Sequence, residues 1–196
     1  MKKLLSIITF QLLLVFTVPA FAANYTVDSV HSNIGFSVRH LVISNVKWSF
    51  TDVYGSFTFD EKKVALKDAN LTIKAKSIST NEPKRDGHLR SPEFLNTDKY
   101  PTLTFKMKKS GSLGGKKMWV TGDLTIAGVT REIRLEGEYI GAAKDPWGNF
   151  RAGFTAEGKI NRFDYGLKWN KAIETGGMVV GKEVRLIIEV EGIRKK

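Results

Sequence analysis

Alternating apolar and polar residues run through most of the chain after residue 23. In the segment NIGFSVRH, Ile34, Phe36 and Val38 occupy every second position, and the same alternation recurs in LTIKAK and LTFKM. A period of two places successive side chains on opposite faces of an extended strand. Similar segments continue to residue 190 and predict about eight to ten strands, each with one apolar face.

Short polar or glycine-rich segments separate the predicted strands, for example residues 60–63, 110–115 and 145–149. Such short connections favour antiparallel neighbours, because a parallel crossover needs about a dozen residues or more. A sheet with one apolar face and little helix must bury that face against itself, in a sandwich or a closed barrel. The interior of a barrel of about eight strands is either filled by side chains or holds one small ligand. The spacing does not distinguish these two cases.

Residues 77–101 interrupt the alternation and contain three of the five prolines. We expect a long connection with a short helix that begins at Ser91, followed by proline at its first position and with Phe94 facing inward. Ser79 and Glu82 have the spacing of a capping box for another helical turn. Connections of this length are usually functional or cover an opening.

The first residues have the three parts of a secretory signal peptide. Lys2 and Lys3 precede an apolar run, which ends just before the small-x-small sequence of residues 20–22. The run is shorter than the ~20 residues that cross a bilayer. We therefore predict a signal peptide at 1–22 and one exported domain at 23–196.

Composition narrows the classes of partner. The absence of cysteine excludes disulfides, thiolate metal sites and cysteine nucleophiles. The formal net charge is +11, and an exported basic protein meets anionic membrane surfaces far more often than nucleic acids. The lysines also lack the interleaved aromatics of a base-stacking surface. We predict no nucleic-acid partner and consider a transient contact with an anionic membrane surface.

Several motifs follow one another in a characteristic order. They include YTVD at 25–28, GSFTFD at 55–60, RDGHLRS at 85–91 and TGDLTI at 121–126. In this order the chain resembles the YceI-like family, which comprises periplasmic polyisoprenoid-binding proteins with a lipocalin-like barrel. The resemblance implies an all-β fold, an antiparallel up-and-down eight-stranded barrel, with a short helix in the connection 77–101.

The resemblance also implies a function. It predicts a periplasmic carrier that sequesters a long-chain isoprenoid or similar amphiphile, of quinone or polyprenyl type, with no other cofactor, no metal and no catalysis. One position departs from the family pattern, because Trp48 stands where the family usually has glycine two residues before the phenylalanine of the third strand. Trp48 either turns outward or fills interior space, which would change the cavity.

The inward face predicted by alternation is uniformly apolar, and the resemblance favours cavity lining over a filled core. Its members are Phe36, Phe57, Phe59, Ile73, Leu103, Phe105, Met107, Val120, Leu124, Ile126, Phe154, Leu186 and Ile188. Polar residues of the long connection, Arg85, Asp86, His88 and Arg90, are candidates to contact or gate the head of the ligand. Their alternative role is an internal cluster of salt bridges and helix caps.

Two other functions remain open at this point. One is an enzyme that acts on a lipid or small periplasmic metabolite through His88 and Asp86. The other is a filled-core barrel that binds a protein partner, and a homodimer is compatible with either. The positions of His31 and His40 differ by an odd number, so on one uninterrupted strand the two side chains would face opposite sides of the sheet. This disfavours a two-histidine site on that strand. No phosphate-binding glycine motif occurs in the sequence.

Overall fold

The computed structural model describes residues 22–173 and 177–195. The predicted signal peptide, apart from Ala22, lies outside the described residues and stays a prediction. Within these two ranges, no helix has the length and apolar character needed to cross a membrane.

Strands dominate the described chain, with one α-helix and two 3₁₀ turns. The strands are β1 (Ala23–Val27), β2 (Asn33–His40), β3 (Ser44–Phe50), β4 (Val53–Asp60), β5 (Ala65–Lys74), β6 (Ile78–Ser79), β7 (Thr102–Gly114), β8 (Lys117–Ile126), β9 (Val129–Lys144), β10 (Phe150–Asn161) and β11 (Val180–Arg194). The helix α1 is Pro83–Arg90, and the 3₁₀ turns are Ala75–Ser77 and Arg162–Tyr165.

The strand segments occupy eight positions around a closed barrel. β1 and β2 lie end to end and both pair with β11, which makes them one position. β4 pairs with β1 and β3 pairs with β2, so β3 and β4 form the second position. β5 and β6 form the third position, and β7 to β11 are the remaining five. Every neighbouring pair is antiparallel, and pairing of β11 with β1 and β2 closes the ring. This confirms the predicted up-and-down, eight-stranded antiparallel barrel.

The alternation of the sequence decides which face of each strand is buried. In β8, every second residue from Met118 to Ile126 is buried, whereas the residues between them are not. Polar partners meet across the outer surface, where Lys108 Nζ lies 2.6 Å from a carboxylate oxygen of Asp123. Asp123 therefore lies on the solvent side, as its position in the alternation predicts, whereas Asp60, the last residue of β4, is buried.

The helix of the long connection lies earlier than expected. The prediction that it begins at Ser91 is wrong, because α1 starts at Pro83 and Ser91 is its C-cap. The side chain of Glu82 accepts hydrogen bonds from the backbone N–H groups at the helix start, as an N-cap does. Both Glu82 and Ser91 are followed by proline. The segment after Ser91 forms turns rather than a helix, and Asn96 within it adopts a left-handed conformation (φ 48°).

The two ends of the barrel differ. The end that we call the helix end carries the β2–β3 turn, α1, the β8–β9 turn and the segment between β10 and β11. The opposite end, the aromatic end, contains a cluster of packed rings. Their centroids lie 4.8–5.4 Å apart, and the rings belong to Tyr25, Phe57, Phe59, Tyr139 and Phe154. These packed rings fill the interior at the aromatic end.

Candidate ligand-binding cavity

The barrel encloses a cavity of about 210 Å³. Inward side chains from β2 to β11 form its wall, and Leu89, Phe94 and Leu95 of the long connection face it at the helix end. Arg162 and Thr155 are the two lining residues that are neither apolar nor glycine. A wall of this kind suits hydrocarbon, because it offers a polar substrate few hydrogen-bond partners.

Most of the predicted apolar face lines this cavity. The lining members are Phe36, Phe57, Ile73, Leu103, Phe105, Val120, Leu124, Ile126, Phe154, Leu186 and Ile188. That these residues contact a ligand stays a prediction.

Phe59 and Met107 face inward but do not line the cavity. Phe59 is 1% exposed and packs within the aromatic cluster, with its ring centroid 4.8 Å from those of Tyr139 and Phe154. Met107 packs against the core where the register of β7 shifts, between Met107 and Lys109. Alternation indicates the side of a strand, but it does not indicate where along the barrel the open space ends.

Trp48 turns inward and narrows the cavity. Its ring packs edge-on against Phe36, with the centroids 4.9 Å apart. Of the two orientations that the sequence allowed, the side chain therefore fills interior space. Its buried Nε1 has no hydrogen-bond partner among the described residues.

Arg162 is the charged residue on the cavity wall, and the sequence analysis missed it. It is 3% exposed, and all its hydrogen bonds go to backbone carbonyl oxygens, including those of Gly181 at 2.9 Å and Trp169 at 2.9 Å. Burial lowers the pKa of the Arg162 guanidinium. By these bonds Arg162 ties the segment after β10 to the start of β11. Continuing the inward positions of β10 from Ile160 by two residues would have found it.

The polar residues of α1 bind the long connection to itself. Asp86 Oδ1 accepts hydrogen bonds from the backbone N–H of Thr80 at 2.8 Å and from its hydroxyl at 2.6 Å. Arg85 Nε donates to the same hydroxyl at 2.9 Å, and Arg90 donates to the carbonyl oxygen of Ile78 at 2.8 Å. Neither arginine nor Asp86 lines the cavity. This arrangement favours the internal cluster over contact with a ligand head.

His88 and Asp86 do not form the pair that the enzymatic alternative requires. His88 Nε2 lies 2.6 Å from Glu93 Oε2, near the protein surface, and its ring packs edge-on against Phe94 and Trp169. Asp86 is engaged by Thr80, so no carboxylate on α1 orients this imidazole. His88 likewise does not line the cavity.

A second polar cluster joins β1, β10 and β11. One guanidinium nitrogen of Arg151 lies 2.6 Å from Asp28 and 2.6 Å from Glu191, and Nε lies 2.8 Å from Asp145. Burial alone would raise the pKa of Asp28, but hydrogen bonds from Arg151 and His31 outweigh it and lower the pKa to about 2. The Arg151 hydrogen bond likewise lowers the pKa of Asp145 to about 2. The Arg151 guanidinium balances the negative charge of these carboxylates.

Comparison with known proteins identifies the family. The family model described as the YceI-like domain matches residues 25–192. The chain belongs to the YceI-like family. It is 43% identical to Protein YceI of Shigella flexneri over 198 residues, covering 100% of both chains.

Solved YceI-like structures share the barrel. The crystal structure of the Campylobacter jejuni YceI protein is 38% identical, with a TM-score of 0.71 over 81% of this chain and 90% of that one. A polyisoprenoid-binding domain from Saccharophagus degradans matches with a TM-score of 0.63 at 18% identity, over 87% and 98% of the two chains. At that identity the second match shows the shared fold.

Proposed function

We propose that this YceI-like protein is a periplasmic carrier that binds one long-chain isoprenoid or similar amphiphilic lipid, of quinone or polyprenyl type, in its barrel. The observation that carries this proposal is the wall of the 210 Å³ cavity, in which inward aliphatic and phenyl side chains from around the barrel face one continuous lumen. The polyisoprenoid-binding domain of S. degradans, which shares the fold, supports the choice of ligand class. Sequestration, rather than conversion, fits a wall without an acid-base pair.

The volume of the cavity limits what it holds without rearrangement. On a scale where one enclosed water takes ~10–15 Å³, the cavity accommodates about 14 to 21 groups of that size. At five carbons per unit this is about three to four isoprene units, which is less than a long polyprenyl chain. A long chain therefore requires the cavity to lengthen, and the helix end is the side where this happens, because the aromatic cluster fills the other end.

Energetics favour exchange with a membrane. Burial of a methylene from water is worth about 0.8 kcal/mol, so a long chain in water would bind almost irreversibly. In a bilayer the same chain is already out of water. The barrel then needs only to match the bilayer to within a few kcal/mol, and small changes in the fit of the chain decide loading and release.

The experiment compares the lipid content of matched variants. Protein purified from the periplasm without detergent is extracted with organic solvent, and the extract is analysed by mass spectrometry. Ala156 lines the cavity, and Ala156→Phe fills part of the lumen without adding charge. Thr121→Phe places the same side chain on β8 outside the cavity wall. We expect near-stoichiometric lipid in the wild type and Thr121→Phe, and a loss of about tenfold in Ala156→Phe.

Two outcomes contradict the proposal. Extracts without any long-chain lipid would favour the filled-core barrel that binds a protein partner. Equal lipid in the folded Ala156→Phe variant would place the lipid outside the cavity.

A further inference from the structure

The turn between β2 and β3 has an unfavourable sequence for its backbone. The N–H of Ile43 donates to the carbonyl oxygen of His40 at 3.1 Å, and the two central residues, Leu41 and Val42, have φ of 50° and 65°. Two consecutive left-handed residues form the hairpin turn that strongly prefers Asn-Gly. A β-branched residue such as valine is an outlier in this conformation.

Two other tight turns of the same barrel use glycine at left-handed positions, whereas the β4–β5 turn has Val64 with φ of 47°. The β8–β9 turn has Ala127 and Gly128 with φ of 47° and 77°, and the β7–β8 turn has Gly114 and Gly115 with φ of 98° and 56°. The β2–β3 turn has the same backbone requirement but two large apolar residues. Its side chains are therefore not explained by the needs of the turn itself.

These side chains form an exposed apolar surface. Val42 is 60% exposed, Ile43 is 80% exposed and Met178 is 51% exposed. The backbone N–H of Leu41 donates to the carbonyl oxygen of Val179 at 3.0 Å, which places the turn beside Met178. We call Leu41, Val42, Ile43 and Met178 the apolar tip.

Basic residues flank the apolar tip. Exposed Arg39 lies next to the turn near the end of β2, and exposed Lys47 lies in the middle of β3. The backbone carbonyl oxygen of exposed Lys171 accepts a hydrogen bond from the N–H of Val179, beside Met178. Among the residues that the structure describes, none of these three cations forms an ion pair. Apolar side chains that project beyond a set of cations match the headgroup region of an anionic bilayer, where the chains insert and the cations meet phosphate.

We propose that the apolar tip docks the barrel onto an anionic phospholipid bilayer. This inference rests on the proposed carrier function and names the surface through which the carrier meets the membrane. The tip belongs to the helix end, and the cavity wall reaches Val180, the residue next to the one that Leu41 bonds. Docking thus directs the end without the aromatic cluster toward the lipid source.

The experiment measures co-flotation of the protein with vesicles of phosphatidylethanolamine and phosphatidylglycerol. Ile43→Ser removes the most exposed side chain of the tip. The double substitution Leu41→Asn with Val42→Gly installs the preferred turn sequence, so we expect an equal or higher unfolding temperature together with weaker binding. We expect each variant to lower vesicle affinity by about tenfold or more. Opposite changes in stability and binding exclude misfolding as the cause.

Trp147→Ser is the matched control, because Trp147 is 81% exposed in the β9–β10 turn at the aromatic end. We expect it to leave vesicle binding unchanged, and we expect added salt to weaken wild-type binding. Unchanged binding of both tip variants, or an equal loss in Trp147→Ser, would overturn the inference. Lipid extraction from the same variants separates the docking proposal from the carrier proposal. Tip variants that retain a bound lipid but lose vesicle binding support both, because the lipid stays in the cavity while the docking surface is lost. Wild-type vesicle binding without any bound lipid would refute the carrier function instead.

Discussion

Replacing Trp48 by alanine tests whether this side chain sets the capacity of the cavity. At interior packing density the indole occupies roughly 130 Å³, against a cavity of about 210 Å³. The gain corresponds to about four methylene-sized groups at ~30 Å³ each, which is close to one isoprene unit. The variant is therefore expected to retain longer chains than the wild type.

The same substitution lowers the stability of the protein without ligand. Buried Trp→Ala changes cost ~3–5 kcal/mol, and Trp48 lies at the low end because part of its surface already faces the cavity. We expect a loss of about 3 kcal/mol, which lowers the melting temperature by roughly 6–12 °C for a domain of this size.

The assay combines thermal unfolding of delipidated protein with competitive loading from an equimolar series of polyprenols, read by mass spectrometry. Trp147→Ala is the control, since an exposed side chain changes stability by no more than ~0.5 kcal/mol. A Trp48→Ala variant with wild-type melting temperature and wild-type chain-length preference would refute the placement of Trp48 on the cavity wall.

Three further predictions concern the polar clusters. The pKa values of Asp28 and Asp145 are lower in the folded protein than their ordinary value of 3.8, so their ionised carboxylates stabilise the fold above that pH. This stabilisation is lost as the pH falls toward about 2. Arg151→Met should reduce the free energy of unfolding at neutral pH and flatten its pH dependence in that acid range, measured by urea unfolding. Arg162→Lys cannot reproduce the bonds to four carbonyl oxygens, so amide hydrogen exchange should accelerate at Leu167 and Gly181 but not in the β7–β8 hairpin. Glu82→Ala removes the N-cap of α1 and should cost about 1 kcal/mol, whereas Lys84→Ala should be neutral in the same thermal unfolding experiment.

The barrel was predictable because its physical cause is local. Alternation in segments such as β8 specifies a buried face, and the short turns specify antiparallel neighbours. The need to bury one apolar face left a sandwich or a closed barrel, and the resemblance to the YceI-like family implied the eight-stranded closure. The inward position of Leu124 and the outward position of Asp123 were both fixed by this period of two.

The extent of the cavity was not predictable, because it depends on packing between residues far apart in the chain. Phe59 has the same alternation as Phe57, yet it packs against Tyr139 and Phe154 without lining the cavity, whereas Phe57 lines it. Similarly, the long connection contains two pairs of a capping residue and proline, Glu82-Pro83 and Ser91-Pro92, and either pair could begin the helix. Only the tertiary contacts of Asp86 with Thr80 show why the first one forms α1.

The proposed function requires that a hydrocarbon chain occupies the lumen of the barrel. The most direct measurement is the nuclear Overhauser effect between a ¹³C-labelled polyprenol, loaded into the protein, and the methyl groups of leucine and isoleucine. We expect cross-peaks from the chain to the cavity-lining Leu103, Leu124 and Leu186, and none to Ile140, which is 54% exposed on β9. Cross-peaks to Ile140 without any to the three leucines would contradict the proposed function.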